Sequence, residues 1–209
     1  MASGRFITFE GGEGAGKSTQ VRLLAERLRA LGHDVVVTRE PGGTPLAEKI
    51  RDLILAGRPQ APEAEFLLFS AARAEHLAAV IRPALRAGKI VVCDRFIDST
   101  RVYQGDVFGV DRDLIFAVEK HTVAPDMPDL TIMLDLEPSV GLARATERGA
   151  LSRYDRARLE THEALRRGFL RIAHDEPDRC VVIDGAREAE AVAADVFQAV
   201  ASRLLAKAE

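Results

Sequence analysis

The chain has 209 residues, 29% of them charged, and a formal net charge of −3. This composition is not that of a disordered chain, and the net negative charge argues against nonspecific electrostatic binding to DNA or RNA. No apolar run approaches the ~18 residues that a membrane span needs. We therefore expect one domain over residues 1–209 that works in the cytoplasm, without a nucleic-acid or membrane partner.

Short apolar runs alternate with helical segments along the chain. The predicted strands cover residues 5–10, 35–37, 89–93, 130–134 and 180–183. Because these runs are nearly all apolar and rich in β-branched residues, they are typical of parallel strands with helices on both faces. The alternation predicts an α/β fold with a parallel sheet. More residues separate the second predicted strand from the third, and the fourth from the fifth, than a crossover connection needs. We expect these two long connections to contain substrate-binding helices and a lid.

A glycine-rich segment, here called the phosphate loop (residues 11–19), follows the first strand and precedes a predicted helix over 17–31. It contains the whole G-x-x-x-x-G-K-[ST] pattern, in which glycines let backbone N–H groups turn toward phosphates. Lys17 then reaches the β- and γ-phosphates, and the Ser18 hydroxyl binds Mg²⁺. We therefore expect ATP with Mg²⁺ here, and a catalytic role for Lys17. The predicted ATP-binding residues of the loop are Gly11, Gly12, Glu13, Gly14, Ala15, Gly16, Lys17, Ser18 and Thr19.

An acidic and a basic residue, Asp94 and Arg95, follow the third strand. The carboxyl ends of strands in an open α/β sheet face the ligand crevice. Asp94 is therefore predicted to hold Mg²⁺ directly or through water. Arg95 is predicted to be a catalytic residue that binds an acceptor phosphate with both arms of its guanidinium. A surface ion pair at a strand end is the alternative.

Several further segments carry a family resemblance over nearly the whole chain. They cover residues 38–44, 67–73, 94–105, 128–130 and 148–149. Together with the phosphate loop, their order and spacing resemble the thymidylate kinase family in its bacterial form. The resemblance implies a P-loop NTPase-type sheet of five parallel strands in the order 2-3-1-4-5, with helices on both faces and a lid. It also implies transfer of the γ-phosphate of ATP to dTMP, giving dTDP and ADP for dTTP synthesis, by a homodimer.

The resemblance implies an acceptor site as well. Phe69 and Arg73 lie four residues apart, which on a helix puts a ring and a guanidinium on one face. By resemblance, Phe69 stacks on thymine and Arg73 donates to its exocyclic oxygen. The other implied dTMP-binding residues are Glu13 at the sugar 3′-OH side, Arg39 and Arg95 at the phosphate, Thr100 at the pyrimidine edge and Tyr103 against the sugar. Core packing is the alternative for Phe69 and helix packing for Tyr103, and we expect Phe66 and Leu67 to be core.

A lid is predicted around residues 148–156, where Gly149 breaks the helical pattern as a hinge would. The phosphate loop has no Arg between its glycines. By resemblance, the charge on the transferring phosphoryl group is therefore met by Arg148 and Arg153 as catalytic lid residues, with Arg144 beside the adenine. Solvated surface charge is the alternative for these arginines.

Residues 114–118 form a segment with more apolar surface than an exposed helix needs. The resemblance places helices of this region at a two-fold interface, whereas burial within one subunit is the alternative. The two cysteines, Cys93 and Cys180, lie in apolar runs, so we expect reduced core thiols. The five histidines show no metal-ligand spacing, so we expect surface or packing positions for them.

Other functions are compatible with a phosphate loop. The chain could phosphorylate a different small molecule, act as a GTPase-like switch or assembly ATPase, or be an inactive relic. By resemblance, residues 67–73 and 99–100 favour thymine over other bases. The sequence has no Asn-Lys-x-Asp guanine motif, and Lys17, Ser18 and Asp94 are intact. The sequence therefore favours a dTMP kinase.

Overall fold

The structure is a computed structural model that describes residues 4–57, 61–147, 149, 154 and 157–205. The strands are β1 (Arg5–Glu10), β2 (Val35–Arg39), β3 (Ile90–Asp94), β4 (Leu130–Asp135) and β5 (Cys180–Asp184). They form one sheet in the order β2-β3-β1-β4-β5, and every neighbouring pair is parallel. The predicted fold class and strand order are therefore confirmed.

Helices connect the strands and continue in places as π-helical turns. The α-helices of the described residues are α1 (Lys17–Ala30), α2 (Pro45–Leu55), α3 (Pro62–His76), α4 (Arg82–Arg86), α5 (Ile97–Thr100), α6 (Arg112–Thr122), α7 (Pro138–Glu147), α8 (Leu159–Asp175) and α9 (Ala189–Val200). The π-helical turns cover Leu77–Ile81, Arg101–Val107 and Ala201–Leu205. Within the described ranges, no helix combines the length and apolar character that crossing a membrane would require.

The core lies on both faces of the sheet, because successive side chains of a strand point to opposite sides. In β1, Ile7 and Phe9 pack in one apolar cluster, and Phe6 packs in another. This two-sided burial explains why the strands are apolar throughout. Cys93 and Cys180 are buried and free, as predicted. Burial raises the pKa of the Cys180 thiol to about 12, so it stays protonated.

The register of the sheet brings three strand ends to the same edge. Asp94, the last residue of β3, lies opposite Phe9 of β1 and Arg39 of β2. The phosphate loop leaves β1 at this edge, and Arg95 leaves β3 beside it. Residues that are far apart in sequence therefore meet where the strands end, as expected for an open α/β sheet.

Two predictions about apolar residues have different outcomes. Phe66 is core, with 1% exposure, but the prediction that Leu67 is core is wrong because its exposure is 51%. One residue along a helix turns the side chain by about 100°, which carries Leu67 from the buried face to the surface. In α6, Ile115 is buried, whereas Phe116 is 51% exposed. Burial within one subunit therefore accounts for only part of this segment.

Candidate active site

The phosphate loop packs directly on α7 through glycines. Gly14 and Gly16 have φ angles of 70° and 91°, in the left-handed region that favours glycine. A Cβ on Gly14 would lie 2.0 Å from the carbonyl oxygen of Gly141 in α7, so no larger residue fits there without a shift of the backbone. The loop thus has both the backbone conformation and the close packing that only glycine allows.

Lys17 lies inside the curve of the loop. Its Nζ donates to the carbonyl oxygens of Gly11 and Gly12 at 3.0 and 2.7 Å. Burial, and then the nearby charge of Arg95, lower the pKa of Lys17 to about 8, although neighbouring carboxylates act in the opposite direction. A buried cation on backbone carbonyls at a helix N-terminus is suited to phosphate, which can take over those hydrogen bonds.

Ser18 and Asp94 form an oxygen pair at the start of α1. Ser18 Oγ donates to Asp94 Oδ2 at 2.6 Å. A hydroxyl and a carboxylate are ligands that a hard divalent cation accepts. The described residues contain no group of three or more His, Cys, Asp or Glu side chains arranged to hold a metal. The pair can supply two oxygen ligands to a divalent cation whose other ligands are phosphate oxygens and water.

Arg95 has a constrained backbone and a fixed guanidinium. Its φ of 67° is the single positive value among the described non-glycine residues. The buried carboxylate of Glu10 supports the following turn by accepting from Phe96 N at 2.7 Å and Ser99 Oγ at 2.6 Å. Arg95 Nη2 donates to Glu13 Oε1 at 2.9 Å. The charge of Arg95 is thus aimed across the phosphate loop.

Glu13 joins Arg95 to the aromatic residue predicted beside the sugar. Its Oε1 also accepts from the hydroxyl of Tyr103 at 2.8 Å. Burial alone would raise the pKa of Glu13, but the charges of Arg95 and Lys17 and the Tyr103 hydrogen bond together lower it to about 2. Glu13 is therefore ionised at neutral pH and can accept hydrogen bonds from hydroxyl groups.

A cavity of about 460 Å³, here called the central cavity, opens beside the phosphate loop. Its walls bring together the loop from Glu13 onward, the predicted metal ligand Asp94, and the predicted acceptor-side residues Arg39, Phe69, Arg73, Arg95, Thr100 and Tyr103. A volume of this order suits a small-molecule ligand. One continuous cavity thus joins a phosphate-binding end to an end that carries an aromatic ring and a guanidinium.

The end of the central cavity that is predicted to take the base, here called the base end, is built by α3 and α5. Phe69 is half-buried, and Arg73 lines the same wall. Arg73 Nη2 donates to Thr100 Oγ1 at 2.9 Å, which fixes the guanidinium against α5. The ring of Phe96 lies 5.2 Å from Arg73 Cζ, which adds a cation–π contact.

The remaining predicted arginines have different surroundings. Arg39 is exposed and donates to Glu48 at 2.8 Å, although it borders the central cavity. Arg144 donates to the carbonyl oxygens of Gly185 and Ala186 at 3.0 and 3.2 Å, beyond the end of β5. Arg148 and Arg153, the predicted catalytic lid residues, lie outside the described residues, so their roles stay predictions.

Several residues of the cavity wall were given no role by sequence reasoning, among them Arg51, Gln104 and Tyr154. Arg51 lies in α2 and donates to the carbonyl oxygen of Pro41 at 2.8 Å. Tyr154 belongs to the predicted lid, and its ring meets that of Tyr103 edge-on at 5.6 Å. The lid segment was the signal for Tyr154, but no local pattern distinguishes Arg51 from other surface arginines.

Comparisons with known proteins point to one family. A family model described as Thymidylate kinase matches residues 9–196. The chain is 53% identical over 206 residues to the thymidylate kinase of Caulobacter vibrioides, covering 98% of this chain and 99% of that protein. It is 51% identical over 207 residues to the thymidylate kinase of Bradyrhizobium diazoefficiens, covering 97% and 91%. The crystal structure of thymidylate kinase from Ehrlichia chaffeensis is similar with a TM-score of 0.78 and 37% identity, covering 95% of this chain and 98% of that chain.

Proposed function

Because this chain belongs to the thymidylate kinase family, we propose how its own residues carry out the reaction of that family. The chain is a phosphotransferase that transfers the γ-phosphate of ATP to dTMP, giving dTDP and ADP. It uses ATP and a divalent metal. One observation carries the assignment of residues: the central cavity joins Lys17 and the Ser18–Asp94 pair to Phe69 and Arg73.

The donor end of the cavity binds ATP. The backbone N–H groups of the phosphate loop and Lys17 bind the β- and γ-phosphates, and Arg144 lies beside the adenine. The cation is Mg²⁺, held by Ser18 and Asp94. When bound, Mg²⁺ offsets charge on the phosphate oxygens, which is the chemistry that a divalent metal supplies in phosphoryl transfer.

The acceptor end binds dTMP. Phe69 stacks on the base, while Arg73 and Thr100 meet its polar edge. Tyr103 packs against the sugar, and Glu13, which is ionised, accepts from the 3′-OH. The dTMP phosphate then lies toward Arg95 and Arg39, where the guanidinium fork of Arg95 suits two phosphate oxygens. This orientation directs an oxygen of the acceptor phosphate at the γ-phosphate of ATP.

The transfer itself needs positioning and charge compensation rather than a general base. The attacking atom is already a phosphate oxyanion, so no proton must be removed. Lys17 contacts the transferring group on the ATP side and Arg95 contacts it on the dTMP side, and both offset its negative charge. Arg148 and Arg153 complete this environment when the lid, around residues 148–156, excludes water.

Assembly and location are part of the same proposal. The chain forms one domain over residues 1–209 and works as a homodimer in the cytoplasm. The exposed Phe116 and Leu114 of α6, together with Leu67 of α3, support a subunit interface on this side. The net charge of −3 supports a small-molecule substrate rather than nucleic acid.

A coupled ADP-release assay with a panel of acceptors tests the proposal. The purified protein is supplied with ATP and Mg²⁺ and with dTMP, dUMP, UMP or CMP in turn. We expect the highest kcat/KM with dTMP and a loss of turnover when the metal is chelated. A higher kcat/KM for any other monophosphate would contradict the assignment of the base end, and ADP release without an acceptor would indicate an ATPase.

A further inference from the structure

A buried chain of polar side chains lies behind the base end of the central cavity. Arg73 Nε donates to Glu40 Oε2 at 2.7 Å, and His76 Nδ1 lies 3.0 Å from Glu40 Oε1. On the other side of the imidazole, His76 Nε2 lies 2.6 Å from Thr38 Oγ1. Glu40, Arg73 and His76 are all buried. The order Thr38, His76, Glu40, Arg73 is therefore one continuous hydrogen-bonded path that ends on the cavity wall.

Hydrogen-bond chemistry sets the direction of this path. An ionised carboxylate only accepts, so His76 Nδ1 carries the proton that it donates to Glu40. In the neutral imidazole, Nε2 is then an acceptor and receives the hydroxyl proton of Thr38. Each side chain has a partner of the right kind, and Glu40 is the buried counter-charge of Arg73.

Among the described residues, the hydrogen bonds of Arg73 involve Nε and Nη2 of its guanidinium but not Nη1. Nε donates to Glu40, and Nη2 donates to Thr100 Oγ1 and to the carbonyl oxygen of Phe96 at 2.9 and 3.0 Å. Within the part of the chain that the structure describes, the donors on Nη1 have no hydrogen-bond partner. Because Arg73 lines the central cavity, these donors are the ones that a ligand meets.

Backbone packing around His76 indicates that its position is closely defined. Gly43, in the turn after β2, has a φ of 88°, and a Cβ there would lie 2.6 Å from His76 Nε2. The turn can therefore approach the imidazole only because residue 43 is glycine. This contact gives a role to residues 40–43 of the segment 38–44, to which the proposed reaction assigns none.

We propose that Glu40 and His76 are positioning residues that make Arg73 select thymine over cytosine. The proposal rests on the base-binding role of Arg73 given above. Thymine carries an exocyclic oxygen where cytosine carries an amino group, and the fixed Nη1 donors can donate a hydrogen bond to the oxygen but not to the amino group. A guanidinium that could rotate would keep its charge, but its N–H donors could turn away from the amino group of cytosine. Cytosine would then be rejected less strongly.

Glu40→Gln and a pair of His76 variants test this proposal. His76→Leu removes the donor to Glu40, whereas His76→Asn keeps an amide N–H close to the position of Nδ1. For each variant, kcat/KM is measured with dTMP and dCMP, KM with ATP, and the Kd of both monophosphates by direct binding. The melting temperature reports whether the fold is retained.

We expect Glu40→Gln and His76→Leu to lower the dTMP-to-dCMP ratio of kcat/KM by about tenfold, the scale of one charged hydrogen bond. The change should appear as a higher KM for dTMP, while KM for ATP stays close to wild type. His76→Asn should keep most of the wild-type ratio. If kcat/KM falls equally for both monophosphates as the melting temperature falls, the two residues are only structural and the proposal is wrong.

Arg73→Met distinguishes failure of this inference from failure of the assigned base site. If Arg73→Met lowers the ratio but Glu40→Gln and His76→Leu do not, the positioning role is wrong and the base site stands. If Arg73→Met leaves the ratio unchanged, Arg73 does not read the base, and both the assignment and this inference are overturned.

Discussion

Phe69→Ala is the substitution that tests the acceptor end of the cavity most sharply. The ring is half-buried on the cavity wall, one helical turn before Arg73. Stacking of an aromatic side chain on a base is worth roughly 1–3 kcal/mol. Because about 1.4 kcal/mol is a factor of ten, we expect KM for dTMP to rise about 5- to 150-fold.

The neighbouring Phe66 provides a matched control in the same helix. Its ring is buried in an apolar cluster and does not line the central cavity. Phe66→Leu should lower the free energy of unfolding by about 1 kcal/mol, since apolar residues of similar volume replace one another at modest cost. Its KM for dTMP should not change.

Steady-state kinetics with each substrate varied in turn separate the two explanations for Phe69. The base-stacking role requires a rise in KM for dTMP with KM for ATP close to wild type. An equal rise in both constants, or the same behaviour in Phe66→Leu, would show that the ring only supports the fold and would refute the reasoning.

Further predictions concern pH, assembly and the lid. Burial, and then the charge of Asp98, raise the pKa of Glu10 to about 7, above its value in an unfolded chain, so the free energy of unfolding should fall as pH rises from about 5 to 7. Urea unfolding across this window should show a weaker fall for Glu10→Gln, and an equal fall would assign the effect to another group. Light scattering at micromolar concentration should give twice the 22.8 kDa chain mass, with Phe116→Glu shifting the protein toward monomer; a wild-type monomer would contradict the interface. Arg153→Ala should lower kcat strongly while dTMP binding without ATP stays close to wild type, and unchanged kcat in both the Arg148 and Arg153 variants would refute the lid assignment.

The sheet and the phosphate loop were predictable because their signals are local. Strands buried on both faces are apolar without interruption, and all the predicted strands are present in the structure. The phosphate loop is one contiguous pattern, and its second pattern glycine, Gly16, has a φ of 91°, in the left-handed region that favours glycine. In both cases, a few adjacent residues contain the whole physical requirement.

The links between site residues were less predictable because they join distant parts of the chain. Tyr103 donates to Glu13 across 90 residues of sequence, and Arg73 donates to Glu40 across 33. No spacing rule indicates that these side chains meet. Leu67 shows the same limit at a single position, since its exposure depends on which way α3 faces and not on its own apolar character.

The Lys17→Ala variant provides the most direct test of the central claim, that phosphoryl transfer occurs at the phosphate loop while dTMP binds at the other end of the cavity. Transfer of labelled phosphate from ATP to dTMP is measured together with direct binding of dTMP in the absence of ATP. We expect kcat to fall about 10²–10³-fold, the effect of removing one preorganised charge, with dTMP affinity and melting temperature close to wild type. Near-normal turnover by Lys17→Ala would contradict the account.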